Sequence, residues 1–307
     1  MKDLLIIGGG PAGITAGVYA SRKRLTTTLV AEEIGGQSTV SEGVENWIGT
    51  VKISGADLAT SLRGHLEAYK GDLLELVEGT RVESLTQTAE GFSVTTTAGN
   101  TYEGKAVLIA SGAARKKLLV PGASEFDNKG LTYCASCDGP LYADLDVAVV
   151  GGGNAGLETA IQLLAYCKSV ALIHRHAMLK GDAITVEKLS HNPKFKTICN
   201  SEPSEVHGDK FVTGLSVKDR TSGEVTKLDV EGVFVEIGVM PNTAFAKDVV
   251  ELDAVGRVVT NPRDQKTSVE GVWAAGDCTD ELYHQNNIAA GDAVKALEDI
   301  YQWIKSR

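Results

Sequence analysis

One glycine pattern occurs twice in this chain. Gly8-Gly9-Gly10-Pro11-Ala12-Gly13 follows the apolar run Leu4–Ile7, and Gly151-Gly152-Gly153-Asn154-Ala155-Gly156 follows Val147–Val150. From Gly8 to Gly151 is 143 residues. Each copy precedes a helical pattern, Ile14–Arg24 in the first and Leu157–Cys167 in the second. Each helix leads to another strand, Thr26–Ala31 or Ser169–Ile173. This is a βαβ unit used twice, with glycines where a pyrophosphate meets a helix N-terminus. Gly8 and Gly151 permit a tight turn, Gly10 and Gly153 let backbone approach phosphate, and Gly13 and Gly156 let helix pack on strand.

The remaining sequence extends both units. After the first come a loop (33–50), a helical stretch Gly55–Tyr69, and alternating strands at Arg81–Thr86, Phe92–Thr97, Thr101–Tyr102 and Ala106–Ala110. After the second comes a β region with turns at Gly208-Asp209 and Ser222-Gly223, ending in Val233–Ile237. The tail returns to a strand, Val272–Ala275, and an amphipathic helix from about Asn287 to Ile304. The expected fold is α/β: two Rossmann-like, three-layer ββα dinucleotide-binding domains, the second inserted in the first. The first domain is expected at 1–113 and 244–307, the inserted one at 114–243.

A length of 307 residues suits two domains. A net charge of −10 argues against nucleic acid or an anionic membrane as the main partner. No apolar run approaches the ~18 residues of a membrane span. Leu4–Ile7 reads as a core strand, not a leader, so a cytoplasmic setting is expected. Five cysteines are few and odd in number: Cys134, Cys137, Cys167, Cys199 and Cys278. In a reducing compartment a lone CxxC reads as redox or metal chemistry, not as a structural staple.

The strand ends differ between the repeats. Glu32 and Glu33 close the second strand of the first unit, about twenty residues past the glycines, where an acid accepts hydrogen bonds from a free ribose 2′-hydroxyl. FAD has such a ribose, and either glutamate can serve. An ordinary glycine-rich turn would not need that acid. In the second unit Arg175 and His176 stand at the matching positions, and Lys180 follows. Cations there suit a 2′-phosphate and favour NADPH over NADH. The plain alternative is a solvated basic face with His174 and His176 in structural roles.

Cys134-x-x-Cys137 lies between the two repeats. Zinc would need a second ligand pair, and Cys167, Cys199 and Cys278 are scattered, so no metal is expected. A thioredoxin-type fold would need a smaller βαβ chain. Two buried structural cysteines are the third option. Asp138 beside Cys137 favours redox chemistry, because a carboxyl there can deliver and accept the exchange proton. Cys167, on the apolar side of a helix, and Cys199, on a strand-like run, read as small core residues, and packing is also favoured for Cys278. A dithiol between two dinucleotide sites suggests electron flow from a nicotinamide, through a flavin, to a disulfide.

Further motifs are Gly35-Gly36-Gln37, Glu45-Asn46, His174-Arg175, Pro241-Asn242-Thr243, Gly276-Asp277 and Tyr283-His284-Gln285. With the glycine turns and Cys134–Asp138, they make the chain resemble the low-molecular-weight thioredoxin reductases along essentially its whole length. It is also similar to the flavoprotein subunit of alkyl hydroperoxide reductase without its N-terminal extension. The resemblance implies FAD contacts from Gly36, Gln37, Asn46, Asp277 and Gln285, with Gly112, Gly276, His284 and Asn286 beside them. It implies that Cys137 faces the flavin, that Cys134 attacks the partner disulfide and that Asp138 is the acid–base. It also implies a homodimer and an inserted domain that rotates about hinges near Ala113–Lys117 and Val239–Thr243. The departures are Ser136 for a threonine, His176 and Lys180 for two arginines, and His284 for an arginine. An NADH-using relative would carry an acid at His174.

The expected activity is electron transfer from NADPH, via FAD and Cys134/Cys137, to thioredoxin or a thioredoxin-like small protein. The alternatives are a glutaredoxin-like or peroxiredoxin partner, NADH, a ferredoxin or second flavin as donor, or a non-catalytic redox sensor.

Overall fold

The computed structural model describes residues 1–41 and 43–307. The chain forms two compact units, Met1–Ala114 with Met240–Arg307, and Arg115–Val239.

The first unit opens with β1 (Lys2–Ile7), α1 (Pro11–Arg22), β2 (Thr27–Ala31), α2 (Gly55–Lys70) and β3 (Leu74–Glu78). These strands are parallel in the order β3-β2-β1. Both faces of β1 are buried: Leu4 and Ile6 pack with the helices, and Leu5 and Ile7 pack on the opposite side. That explains the unbroken apolar run. α2 is fixed at its start by Ser54, whose hydroxyl accepts the Asp57 N–H at 3.0 Å. β3 was not apparent in the sequence, because its alternation is short and broken at Val77.

An antiparallel meander follows, β4 (Val82–Gln87), β5 (Phe92–Thr96) and β6 (Thr101–Ile109). The sequence suggested two strands broken near Gly104, but β6 is one continuous strand of nine residues. Gly104 belongs inside it, since a Cβ there would meet Leu5 Cγ at 2.7 Å. β7 (Ala113–Arg115) ends this segment.

The inserted unit contains β8 (Leu131–Thr132), α3 (Ala135–Asp138), β9 (Asp146–Val150), α4 (Asn154–Leu163), β10 (Ser169–Ile173), α5 (Ala183–Ser190) and β11 (Phe195–Ile198). Then come β12 (Ser201–Gly208), β13 (Val212–Asp219), β14 (Val225–Leu228) and β15 (Gly232–Val235). A parallel sheet runs β11-β10-β9-β15-β8, and β12-β13-β14 form an antiparallel meander. The burial of β1 is repeated in β9. Val147 and Val149 pack with Leu157 and Leu163 of α4, whereas Ala148 and Val150 pack with Leu215 and Val217 of the meander. α4 stops earlier than its sequence pattern suggested, and Cys167 lies just past the turn (164–166) behind it. α5 was not anticipated; the Asp182 carboxylate caps it by accepting the Thr185 N–H at 2.9 Å.

The tail comprises β16 (Val239–Pro241), β17 (Val272–Ala274) and α6 (Asn286–Lys305). β17 joins the first sheet beside Val107–Ile109 of β6. α6 presents Ala289, Ala293 and Ala296 to the core that holds Ala12, Ala16 and Ala20 of α1, and small side chains let the two helices approach closely. Each unit is therefore a sheet between helices and a β meander, the three-layer ββα arrangement. Among the described residues, no helix is long and apolar enough to cross a membrane.

Candidate active site

In the first unit, Gly8 turns the chain at φ 121°, a conformation that favours glycine. A Cβ on Gly13 would lie 1.8 Å from the Gly8 carbonyl oxygen, so this glycine fixes helix against strand. Gly36 comes next to the turn: its Cβ would lie 3.1 Å from Gly10 Cα. A Cβ on Gly276, the residue before Asp277, would lie 3.4 Å from Ala12 Cβ. Asn46 donates to Gln285 Oε1 at 2.8 Å, and Ser38 donates to Asn286 Oδ1 at 2.9 Å. Asn287 Nδ2 closes the group by donating to the Asn46 carbonyl at 2.6 Å. Fold closure thus gathers groups more than 200 residues apart. Ser38 and Asn287 were not singled out from sequence, because only tertiary pairing reveals them.

One atom of this cluster, His284 Nε2, is buried without a protein partner. Buried polar groups need partners, so it fits a polar ligand laid across the glycine turn. Of the two candidate acids, Glu32 is taken by Arg81, whose Nε donates to it at 2.6 Å. Glu33 beside it is exposed, as is Glu32. Gln37 is also exposed, and Gly112 adopts φ 64° next to Ser111.

The second turn repeats the first. Gly151 sits at φ 125°, and a Cβ on Gly156 would again lie 1.8 Å from the oxygen of the first glycine. The loop after β10 is fastened over it. The Lys180 N–H donates to the Gly152 carbonyl at 2.8 Å, and the Asp182 N–H donates to Asn154 Oδ1 at 2.8 Å. Lys180 is thereby brought back beside Arg175 and His176. His174 is buried with Nε2 unpartnered. Its ring is 5.2 Å from that of His176.

Sequence reasoning missed a further cation, Arg220, in the turn between β13 and β14. Its Nη1 donates to the Arg175 carbonyl at 2.9 Å, and its Nε is 3.4 Å from Glu202. Burial, followed by Lys180, Arg175 and Arg220, lowers the His176 pKa. For His174, burial and then His176 do the same. Arg175, Lys180 and Arg220 are solvent-exposed and lie around the two histidines.

Cys134 and Cys137 are disulfide-bonded, with Cα atoms 5.3 Å apart, and both are partly exposed. Cys134 starts α3, and its sulfur accepts the Cys137 N–H at 3.2 Å. Thr132, at the end of β8, donates a short hydrogen bond to Asp138 Oδ2, and its hydroxyl oxygen accepts the Cys134 N–H at 3.4 Å. Thr132 therefore ties the acid to the dithiol. Ser136 Oγ donates to Gln162 of α4 at 3.2 Å.

The other cysteines differ among themselves. Cys167 and Cys278 are fully buried, and burial pushes each thiol up to about 11. The packing role expected of both is consistent with this. Cys199 is not the core residue that its strand-like neighbours suggested. It lies partly exposed in the turn between β11 and β12, where Asn200 at φ 51° bends the backbone. Among the described residues, no cluster of metal-ligating side chains occurs.

The family model described as pyridine nucleotide-disulphide oxidoreductase matches residues 2–293. The F subunit of alkyl hydroperoxide reductase from Staphylococcus epidermidis is 39% identical over 302 residues, 98% of this chain. The chain spans 59% of that relative's length. Thioredoxin reductase from Streptococcus pyogenes MGAS5005 has 33% identity and a TM-score of 0.93, covering 100% of this chain and 99% of its own. Thioredoxin reductase from Giardia duodenalis has 33% identity and a TM-score of 0.92, covering 99% of each chain. The chain belongs to the pyridine nucleotide-disulphide oxidoreductase family.

Proposed function

We propose that the chain passes two electrons from NADPH to the disulfide of a small thioredoxin-like protein, through FAD and the Cys134/Cys137 pair. The observation that carries this is the partly exposed disulfide with Asp138 held on the same turn. FAD, when bound, supplies two-electron transfer between nucleotide and dithiol. The residues that would hold it are the Gly8–Gly13 turn, Glu33, Asn46, Asp277 and His284–Asn286. For NADPH they are the Gly151–Gly156 turn with Asn154 and Ala155, and His174, Arg175, His176 and Lys180.

Once the pair is reduced, the Cys134 thiolate attacks the partner disulfide and releases one partner thiolate. Cys137 then attacks the mixed disulfide, reforms the Cys134–Cys137 bond and releases the second. Asp138 exchanges the protons that accompany thiol and thiolate. The partner gains two electrons and two protons, and the oxidised pair is restored. A homodimer in the cytoplasm is the proposed state, and sedimentation of the purified protein checks the first half of it.

The test is anaerobic turnover with NADPH and purified thioredoxin, counting thiols formed. Two thiols per NADPH are expected, with none from Cys134→Ser. Turnover by the serine variant at the wild-type rate would exclude the dithiol. A second reading, a peroxiredoxin-linked partner, is favoured by the alkyl hydroperoxide reductase relatives. Faster turnover with a peroxiredoxin system than with thioredoxin would select it.

A further inference from the structure

On the reading above, the adenosine half of the nucleotide lies over the end of β10. A dinucleotide whose pyrophosphate rests on Gly151–Gly156 must extend its other half the opposite way. The neighbour of β9 on that side is β15. Dinucleotides cross an open parallel sheet in this manner, at the point where strand order reverses. Glu236 is the first side chain beyond the end of β15. Its N–H donates to the Val150 carbonyl at 2.7 Å. Its own carbonyl oxygen lies 2.1 Å from where a Cβ on Gly151 would stand. Glu236 therefore flanks the first glycine of the turn.

The Glu236 side chain is 13% exposed. Thr159 Oγ1 of α4 donates to Oε1 at 3.0 Å, and Arg115 Nη1 lies 3.5 Å from the same oxygen. Both contacts fall on Oε1. Burial pushes the carboxyl pKa up, while Arg115 and Thr159 oppose that shift. A buried carboxylate is costly unless its oxygens find donors. A nicotinamide riboside offers hydroxyl and carboxamide donors, and its oxidised ring adds a positive charge.

We propose that Glu236 binds the nicotinamide-riboside half of the nucleotide, with Oε2 accepting from its donors and Thr159 and Arg115 positioning the carboxylate. This rests on the assignment of the second unit as the nicotinamide nucleotide site. Because only the oxidised ring is charged, the carboxylate holds NADP⁺ more tightly than NADPH.

The test is equilibrium titration of the oxidised, flavin-loaded protein with NADP⁺ and with 2′,5′-ADP, which has the adenosine half alone. Glu236→Ala weakens NADP⁺ binding about tenfold, the loss of one hydrogen bond to a charged group, and leaves 2′,5′-ADP binding within about twofold. Glu236→Gln keeps the shape, loses the charge, and gives a smaller loss; it carries the test if the alanine variant does not fold. Unchanged NADP⁺ affinity in both variants, or equal weakening of NADP⁺ and 2′,5′-ADP, overturns the proposal and leaves the nucleotide site standing. Wild-type protein that binds neither ligand overturns both.

Discussion

The two glycine turns are built alike and end differently. Gly8 and Gly151 turn through nearly the same angle, and Gly13 and Gly156 meet the same close carbonyl. Past the next strand the first unit ends in Glu32 and Glu33, the second in Arg175 and His176, with Lys180 and Arg220 drawn in. The lesson is a division of labour. On the proposed reading, backbone geometry selects a pyrophosphate and strand-end charge selects the ribose attached to it. Two copies of one fold can then hold two different dinucleotides.

The comparison breaks most visibly at its shared glycine. Gly156→Val forces a side chain into the Gly151 carbonyl, so the variant should stay yellow and reducible by dithionite. Its flavin reduction by NADPH should fall about a hundredfold or more, the scale of a severe backbone clash. Loss of flavin from this variant would mean that the two sites are not independent. Cys134→Ser or Cys137→Ser should abolish disulfide turnover, while bound FAD and its bleaching by NADPH persist; absorbance and thiol counts read both.

Strand-end charge gives a smaller effect. Arg175→Ala should raise the KM for NADPH about tenfold and change NADH little, since a charged hydrogen bond to phosphate contributes about 1.5–3 kcal/mol. A subtler signature is pH. The His176 pKa is lowered in the free protein by burial and by Lys180, Arg175 and Arg220; His174 and the Arg220-bound Glu202 also face this cluster. A phosphate dianion favours the imidazolium, so binding takes up a proton. The KM for NADPH should therefore rise as pH increases from about 6 to 8, and the KM for NADH should not follow. A flat ratio of the two would remove His176 from the site.

The turns were legible because each glycine answers to a local rule. The dithiol and Asp138 were legible because they are adjacent in sequence. Thr132, Arg220 and Glu236 were not, although each touches a site. Their roles come from parallel pairing of β8 with β15, from the β13–β14 turn, and from the order of strands around β9. None of these leaves a local pattern. Cys199 shows the converse error: a strand-like run suggested burial, but a left-handed Asn200 put it in a turn. The continuity of β6 through Gly104 depends on Leu5, about a hundred residues away in sequence.

The most direct test of two distinct nucleotide sites is anaerobic rapid mixing of the flavin-loaded protein with NADPH and, separately, NADH, followed at the flavin band. Rapid bleaching by NADPH and much slower bleaching by NADH are expected. Equal bleaching by both would contradict the role given to the basic strand end. No bleaching by either, with dithionite still effective, would contradict the second unit as a nicotinamide site.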